Sequence, residues 1–357
     1  MSIEQQQLLV NKQDLSDVRW ESSTIEAPGP NEVVLEVEYF ALTANNITYA
    51  VAGESMNYWH FFPAAEGWGR VPVWGFGRVV ASAHEEVPIG NRYYGYFPMG
   101  SHLTVHADQV SPRSLVDAAP NRAGLAEVYN QYVTAGPADP DADAAQMLYR
   151  PLYMTSFMLA DFAEHNAYFG ARSVILTSAS SKTSLGLAFL LSRLEGIEVV
   201  GLTSPGNRGF VEGLGTYDRV VGYDDIGTLD AAVPSMVIDM AGNGEVLAAV
   251  HDHFQDALKY SCLVGATHWQ ARSGAGALAG PKPELFFAPS HIAQRTKDWG
   301  PGGLQERFQG AWDAFMAVAD NWIEVERLSG TEAVEAAYGK LLRSEVGPSR
   351  GLILSVG

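Results

Sequence analysis

The stretch LTSASSKTSLGLAFLL, residues 176–191, decides how the chain is read. An apolar run breaks into Thr177, Ser178, Ala179, Ser180 and Ser181, and apolar residues resume after Lys182 with helical spacing. A strand that turns into a helix whose first N–H groups face an anion has this pattern. Lys182-Thr183 imitates the end of a triphosphate-binding loop, but the six residues before it contain no glycine, so the Gly-x-x-x-x-Gly frame is missing. Ser and Thr also cap helices that bind nothing, so the stretch alone leaves a plain capped helix open.

Outward from this turn the grammar repeats. SVILTS precedes a helix over 182–195. IEVVGLTS, a helix near 207–214 and DRVVGY follow, then SMVIDMAG (235–242), an amphipathic helix over 245–260 and SCLVGAT (261–267). Alternation of this kind predicts an α/β fold with a doubly wound parallel sheet of Rossmann type, whose ligands lie at the carboxyl ends of the strands. The part before it reads as β-rich, an irregular barrel or sandwich: EVVLEVEYF (32–40), VPVWGFGRVVAS (71–82), RYYGYF (92–97) and SHLTVHA (101–107) are separated by Pro, Gly and Asn turns. From about Leu125 the pattern turns helical, interrupted by a surface loop at 134–145. The last part reads as a strand in ELFFAP (284–289), a long helix over 304–322, a helix over 331–342 and a closing strand GLILSV. The expected division is a β-rich catalytic domain over 1–155 and 322–357 and a dinucleotide-binding domain over 156–321.

Composition narrows the function classes. With 357 residues, 47% of them hydrophobic, the chain can bury a substantial core, and its length favours two domains or three. A formal net charge of −18 argues against a nucleic-acid partner and against anionic membranes, so an anionic ligand needs a local cluster of positive charge. Cys262 is the only cysteine, which excludes an intrachain disulfide and any site built on several thiolates. The N-terminal MSIEQQQLLV lacks a basic-then-apolar leader, and no run of eighteen apolar residues occurs, so a cytoplasmic location is expected.

The order of segments resembles the medium-chain dehydrogenase/reductase superfamily, in its zinc-free quinone-oxidoreductase and enoyl-reductase branch. VPVWGFGRVVAS is similar to the family's approach to its Gly-x-Val strand, and IGNRYYGYFPMGSHLTVHADQV to the segment that follows it. WIEVERLSGTEAVEAAYGKLLRS and SRGLILSV resemble the close, where a helix precedes a last strand returning to the N-terminal domain. The resemblance implies a GroES-like β-rich domain beside the Rossmann-type one. It also implies a zinc-free site, because ANNITYAVAG follows EVEYFALT where the family places a cysteine ligand.

Zinc-free relatives carry a Gly-rich turn where this chain has Ala179, Ser180, Ser181, Lys182, Thr183, Ser184, Leu185 and Gly186; only the last glycine survives. The glycines that admit a pyrophosphate are lost, and a lysine among hydroxyls at a helix N-terminus takes their place, able to offer donors and a full charge to phosphate. The second strand ends without the acid that holds a ribose 2′-hydroxyl; Thr203, Ser204, Asn207 and Arg208 stand there, a set suited to a 2′-phosphate. NADP(H) is therefore the expected cofactor, bound by Ser180, Ser181, Lys182, Thr183, Ser204 and Arg208. By resemblance Thr155 lies near the nicotinamide, and Gly242 and Gly265 pass close to the cofactor. Asp239 is expected to hydrogen-bond locally at its strand end.

The resemblance implies transfer of a hydride to a small conjugated carbonyl, quinone or enoyl substrate, with a nearby donor protonating the product enolate. Tyr58, a few residues beyond Gly53, is the foremost candidate donor, with Tyr49, Asn46 and His60 beside it. Aromatic packing is the competing account of these tyrosines. Relatives pair sheets through the segment that here is ELFFAP, which predicts a homodimer. The alternative function is a silent nucleotide sensor that keeps the fold without the reaction.

Overall fold

The computed structural model describes residues 2–264, 278–319 and 321–357. They fall into two compact units, Met1–Leu148 with Glu324–Gly357, and Tyr149–Ile323.

The first unit is β-rich. A hairpin of β1 (Ile3–Asn11) and β2 (Val18–Ile25) is joined on the other side of β1 by the short β4 (Trp68–Gly69). The main sheet contains β3 (Glu32–Leu42), β5 (Pro72–Ser82), β6 (Arg92–Pro98), β7 (His102–Asp108), β8 (Ser114–Asp117) and β9 (Gln131–Ala135). Its order β3-β5-β6-β9-β8-β7 closes because β7 pairs back onto β3, which removes the edges an open sheet would expose. The returning chain adds β16 (Glu324–Ser329) and β17 (Arg350–Ser355) outside β3, with helix α7 (Thr331–Leu342) between them. Helix α1 (Ala44–Val51) follows β3, and Tyr58–His60 forms a 3₁₀ turn.

One expectation fails in this unit. The residues after Leu125 do not continue as helix: Glu127–Tyr129 is a single 3₁₀ turn, and β9 follows it. Its Tyr132 explains why. The ring lies flat over Gly95 of β6, where an added Cβ would sit 2.4 Å from Tyr132 Cδ1, so the strand fills a hollow that the glycine creates. Helix α2 (Pro140–His165) starts inside the anticipated loop, at a proline suited to a first helical turn. Asp143 in that turn accepts from Arg92 Nη2 (2.7 Å) and from Tyr39 Oη (2.5 Å), beside a second ion pair between Arg92 and Glu38.

The second unit is the expected doubly wound sheet. Strands β10 (Ser173–Leu176), β11 (Glu198–Thr203), β12 (Arg219–Gly222), β13 (Ser235–Asp239), β14 (Leu258–Leu263) and β15 (Glu284–Leu285) pair in the order β12-β11-β10-β13-β14-β15, every pair parallel. Both faces are covered, so alternate residues serve two cores. Val174, Leu176, Met236 and Ile238 face one cluster with Leu159 and Leu187; Ile175 and Val237 face another with Leu247 and Val250. Helices α3 (Lys182–Leu191), α4 (Arg208–Gly213), α5 (Gly244–Phe254) and α6 (Ala288–Ala319) complete the unit, α6 being two helices merged across a kink at Gly300, whose φ is 74°.

Several element boundaries differ from the sequence pattern: α3 ends at Leu191 rather than at 195, and α6 begins at Ala288, well before 304. Helix α5 stops at Phe254, because Gln255 adopts a φ of 45°; Gln255–Ala257 forms a 3₁₀ turn, and β14 begins at Leu258, inside the DALKY that was expected to extend the helix. His251 then locks α5 to that strand: its Nδ1–H donates to Ala279 O (2.7 Å), and its Nε2 accepts from Ser261 Oγ (2.9 Å). ELFFAP supplies only the two residues of β15 before α6 begins at Ala288.

Gly186 makes a packing prediction. A Cβ there would lie 2.7 Å from Tyr153 Cδ2 and 2.8 Å from Ser156 Oγ, and Ser156 also donates to Thr183 O (2.7 Å). Helices α2 and α3 therefore touch backbone to side chain. Gly186→Val should cost about 1–3 kcal/mol by overpacking, readable as a lower denaturation midpoint; a neutral effect would contradict this contact.

Candidate active site

In the second unit the turn after β10 is held by its own hydroxyls. Thr177 Oγ1 donates to Asp239 Oδ1 (2.5 Å) and accepts from the N–H groups of Met240 (2.9 Å) and Ala241 (3.1 Å), tying together the turns after β10 and β13. Asp239 thus bonds locally at its strand end, while burial pushes its carboxyl up against the pull of these bonds. Ser178 occupies the left-handed region, φ 47°, that favours glycine, a strain of order 1 kcal/mol. Its N–H donates to Tyr223 Oη (3.2 Å). Backbone strain of this kind concentrates where a ligand is gripped.

Ser181 is the N-cap of α3; its Oγ accepts from Ser184 N (3.2 Å), and Ser184 Oγ donates to Thr177 O (3.1 Å). The capped-helix reading therefore describes Ser181. Ser180 Oγ accepts from Asn207 Nδ2 (3.1 Å), which brings the turn after β11 against the turn after β10. Lys182 opens the helix, and burial pushes its ammonium down to about 8. Thr183 follows in the first turn of the helix.

At the end of β11, Thr203 Oγ1, one of the hydroxyls expected near a 2′-phosphate, is buried with no hydrogen-bond partner among the described residues. Ser204 follows it, and Arg208 begins α4. The Arg208 guanidinium is half exposed and donates to Glu212 Oε1 (2.8 Å), with Asp225 at 4.0 Å. A phosphate at Arg208 thus competes with a neighbouring carboxylate. Gly242 has a φ of 63° in the turn after β13. Thr155 lies on α2, its hydroxyl donating back to Pro151 O (3.4 Å). Gly265 lies outside the described residues.

In the first unit the expected catalytic residues separate into two groups. Asn46 is spent on structure: its Oδ1 accepts from Thr43 N (2.7 Å) and its Nδ2 donates to Pro72 O (2.8 Å). His60 is exposed at the end of its 3₁₀ turn. Tyr49 and Tyr58 are buried together, ring centroids 4.5 Å apart. Around them gather aromatic residues that sequence reading missed. Tyr58 Oη lies 3.4 Å from Tyr129 Oη, Trp74 Nε1 donates to Tyr49 Oη (3.5 Å), and Tyr96 meets Tyr49 edge-on at 5.6 Å. Burial pushes all four phenols above their ordinary value, so each is a neutral donor near neutral pH.

Behind the phenols lies a buried ion pair. Arg122 Nε contacts Asp117 Oδ2 (2.8 Å), each side chain 2% exposed. Arg122 also donates to Tyr129 O (3.1 Å), Asn130 Oδ1 (3.3 Å) and Tyr132 Oη (3.3 Å), which pins the segment carrying Tyr129.

A family model described as "Protein of unknown function (DUF2855)" matches residues 40–347. The chain belongs to the DUF2855 family. No curated protein matches it. Solved structures do. CurA of Vibrio vulnificus in complex with NADPH is 13% identical with a TM-score of 0.64, and 99% of each chain is covered. The CurK enoyl reductase is 15% identical with a TM-score of 0.59, again over 99% of each chain. A mutant form of enoyl thioester reductase from Candida tropicalis is 11% identical with a TM-score of 0.58 over 99% of both. This DUF2855 chain thus has the two-domain fold of the medium-chain dehydrogenase/reductases. Among its described residues no group of three or more His, Cys, Asp or Glu is placed to hold a metal ion. No helix there is long and apolar enough to cross a membrane.

Proposed function

We propose that this DUF2855 chain is an NADPH-dependent, zinc-free reductase that moves a hydride to a small conjugated carbonyl, quinone or enoyl compound in the cytoplasm. The observation that carries the reading is the turn after β10. Lys182 and the hydroxyls of Ser180 and Thr183 cluster at the N-terminus of α3, and Asn207 bridges the turn to the end of β11. Hydroxyl donors, an amine and helix N–H groups are the chemistry that phosphate needs. The orphaned Thr203 hydroxyl and Arg208 add a donor and a charge where an adenosine ribose phosphate would lie.

In this reading Ser180, Lys182 and Thr183 hold the pyrophosphate, Ser204 and Arg208 the 2′-phosphate, and Thr155 and Gly242 flank the nicotinamide. Bound NADPH would supply the hydride. The part over 156–321 serves the nucleotide, and the parts over 1–155 and 322–357 serve the substrate. The phenols of Tyr49 and Tyr58 supply the proton, and their aromatic surroundings favour flat, apolar substrates.

A panel of quinones, enones and enoyl thioesters, with loss of NADPH absorbance as readout, tests the reaction. At least one compound should be turned over. Tight NADPH binding with no turnover of any of them would favour the sensor. We also propose a homodimer through β15: Leu285 is 55% exposed on an edge strand, an arrangement that invites pairing. Light scattering at micromolar concentration should give twice the chain mass, and a monomer would refute it.

A further inference from the structure

The turn after β10 keeps Ser178 in a left-handed conformation (φ 47°) that glycine takes without strain. Two phenols grip it there. Tyr223 Oη accepts from Ser178 N (3.2 Å), and Tyr217 Oη donates to Ala179 O (2.8 Å). Tyr217 stands just before β12 and Tyr223 just after it; β12 is the edge strand, so both side chains reach across β11 to the turn. They do so on opposite faces of the sheet. Tyr217 packs against the cluster that holds Leu187 and Leu191, and Tyr223 against the cluster that holds Val246 and Val250.

The path of Tyr217 depends on Gly201. A Cβ at that position of β11 would lie 2.8 Å from Tyr217 Cδ1 and 2.9 Å from Ala179 Cβ, so the missing side chain is the gap through which the ring crosses the strand. Ala179 itself is 0% exposed, and its N–H donates to Leu202 O (3.0 Å). Ser178 O accepts from Ser181 N (2.8 Å). The backbone from Ser178 to Ser181 is thereby tied at each step, and it leads directly into Lys182. Burial pushes the Tyr217 phenol up, which keeps it a neutral donor.

We propose that Tyr217 is a positioning residue of the phosphate site. Its hydroxyl, delivered through the gap at Gly201 and opposed by Tyr223, holds the Ser178–Ala179 peptide in the conformation that a glycine-rich turn reaches unaided, and so directs Ser180 and Lys182 to the pyrophosphate. The assignment rests on the dinucleotide reading. A glycine absent from the turn is matched by a glycine in the neighbouring strand and by the phenol that passes over it. Because the turn meets the pyrophosphate, which NADPH and NADH share, losing the clamp weakens both alike. A contact to the 2′-phosphate would weaken NADPH alone.

The test uses the full chain and Tyr217→Phe, which keeps the ring and removes one oxygen. Calorimetry at pH 7 should show NADPH and NADH each bound about three- to tenfold more weakly, the range of one neutral hydrogen bond, with their ratio unchanged. Adding Ser178→Gly, which supplies the left-handed conformation without strain, should restore most of that loss. In the absence of nucleotide, hydrogen exchange at the amides of residues 178–181 should quicken by a similar factor in Tyr217→Phe and stay unchanged along β13 and β14. Unchanged affinities, a loss confined to NADPH, or no recovery with Ser178→Gly would each overturn the assignment. If the wild-type chain binds neither nucleotide, the dinucleotide reading fails, and the exchange still decides the clamp: unchanged rates at the turn overturn it, and faster rates support it.

Discussion

Lys182→Met should weaken NADPH binding by about 10- to 100-fold, the range of a charge-assisted hydrogen bond to phosphate, while the free protein melts higher. Both effects come from one fact: burial holds the ammonium near 8 against an ordinary 10.5. Below pH 8 the lysine is charged in the folded and the unfolded chain alike, so folding carries the cost of a poorly hydrated charge. That cost fades as pH rises from 8 towards 10.5. Methionine removes it, and at pH 7 the melting temperature should rise by roughly 2–4 °C per kcal/mol relieved.

Ligand affinity has the opposite dependence. A bound phosphate raises the lysine's pKa, so NADPH affinity should be flat below pH 8. Above it, affinity should fall by up to tenfold per pH unit until the pKa of the complex is reached. Calorimetry across pH 6.5–9.5 on wild type and variant reads both. A wild-type affinity that does not decline above pH 8, or a variant that binds as tightly, would show that Lys182 does not meet the phosphate.

Arg122→Ala should destabilise the first unit by about 3–5 kcal/mol, because it strands Asp117 as a buried, unpaired carboxylate. Asp117 Oδ1 still accepts from the N–H groups of His106 (3.0 Å) and Ala119 (3.1 Å), but Oδ2 loses its partner. On this size of unit the loss corresponds to a fall of about 10 °C in the first thermal transition. Replacing both partners with apolar residues, Arg122→Met with Asp117→Leu, should recover much of that stability, since no charge is then left buried. Equal destabilisation by the single and the double variant would mean that the arginine's bonds to Tyr129, Asn130 and Tyr132 matter more than its charge.

How far the molecule was legible in its sequence depended on the kind of signal. The parallel sheet was legible because its strands are short apolar runs covered on both faces, each followed by a helix with its own periodicity; Val174, Ile175 and Leu176 show this in three residues. The end of α5 was not. Its apolar spacing runs on through DALKY, and the chain breaks at Gln255 through a positive φ with neither Gly nor Pro to announce it. Likewise β9 depends on Tyr132 filling the hollow over Gly95, a contact between residues 37 positions apart that local patterning does not contain.

The same division holds at the candidate site. The turn after β10 is contiguous, so Ser180, Ser181 and Lys182 could be chosen as a group. The phenol cluster draws on α1, the 3₁₀ turn, β5, β6 and the turn before β9, and only Tyr49 and Tyr58 share a segment. A signal for Tyr96 was present in RYYGYF, where Tyr94 and Tyr96 alternate onto one face of a strand. Nothing in that run shows which hydroxyls converge. Thr203 was legible as a strand-end hydroxyl, whereas the burial of its oxygen without a partner among the described residues was not.

Whether the altered turn binds a phosphorylated dinucleotide is decided by titration calorimetry of the wild-type chain with NADPH and NADH at pH 7. Both should bind, with NADPH favoured at least about tenfold through charge-assisted hydrogen bonds that a 2′-hydroxyl cannot match. Equal affinities would refute the assignment of Ser204 and Arg208, and no heat with either nucleotide would refute a dinucleotide site at this turn.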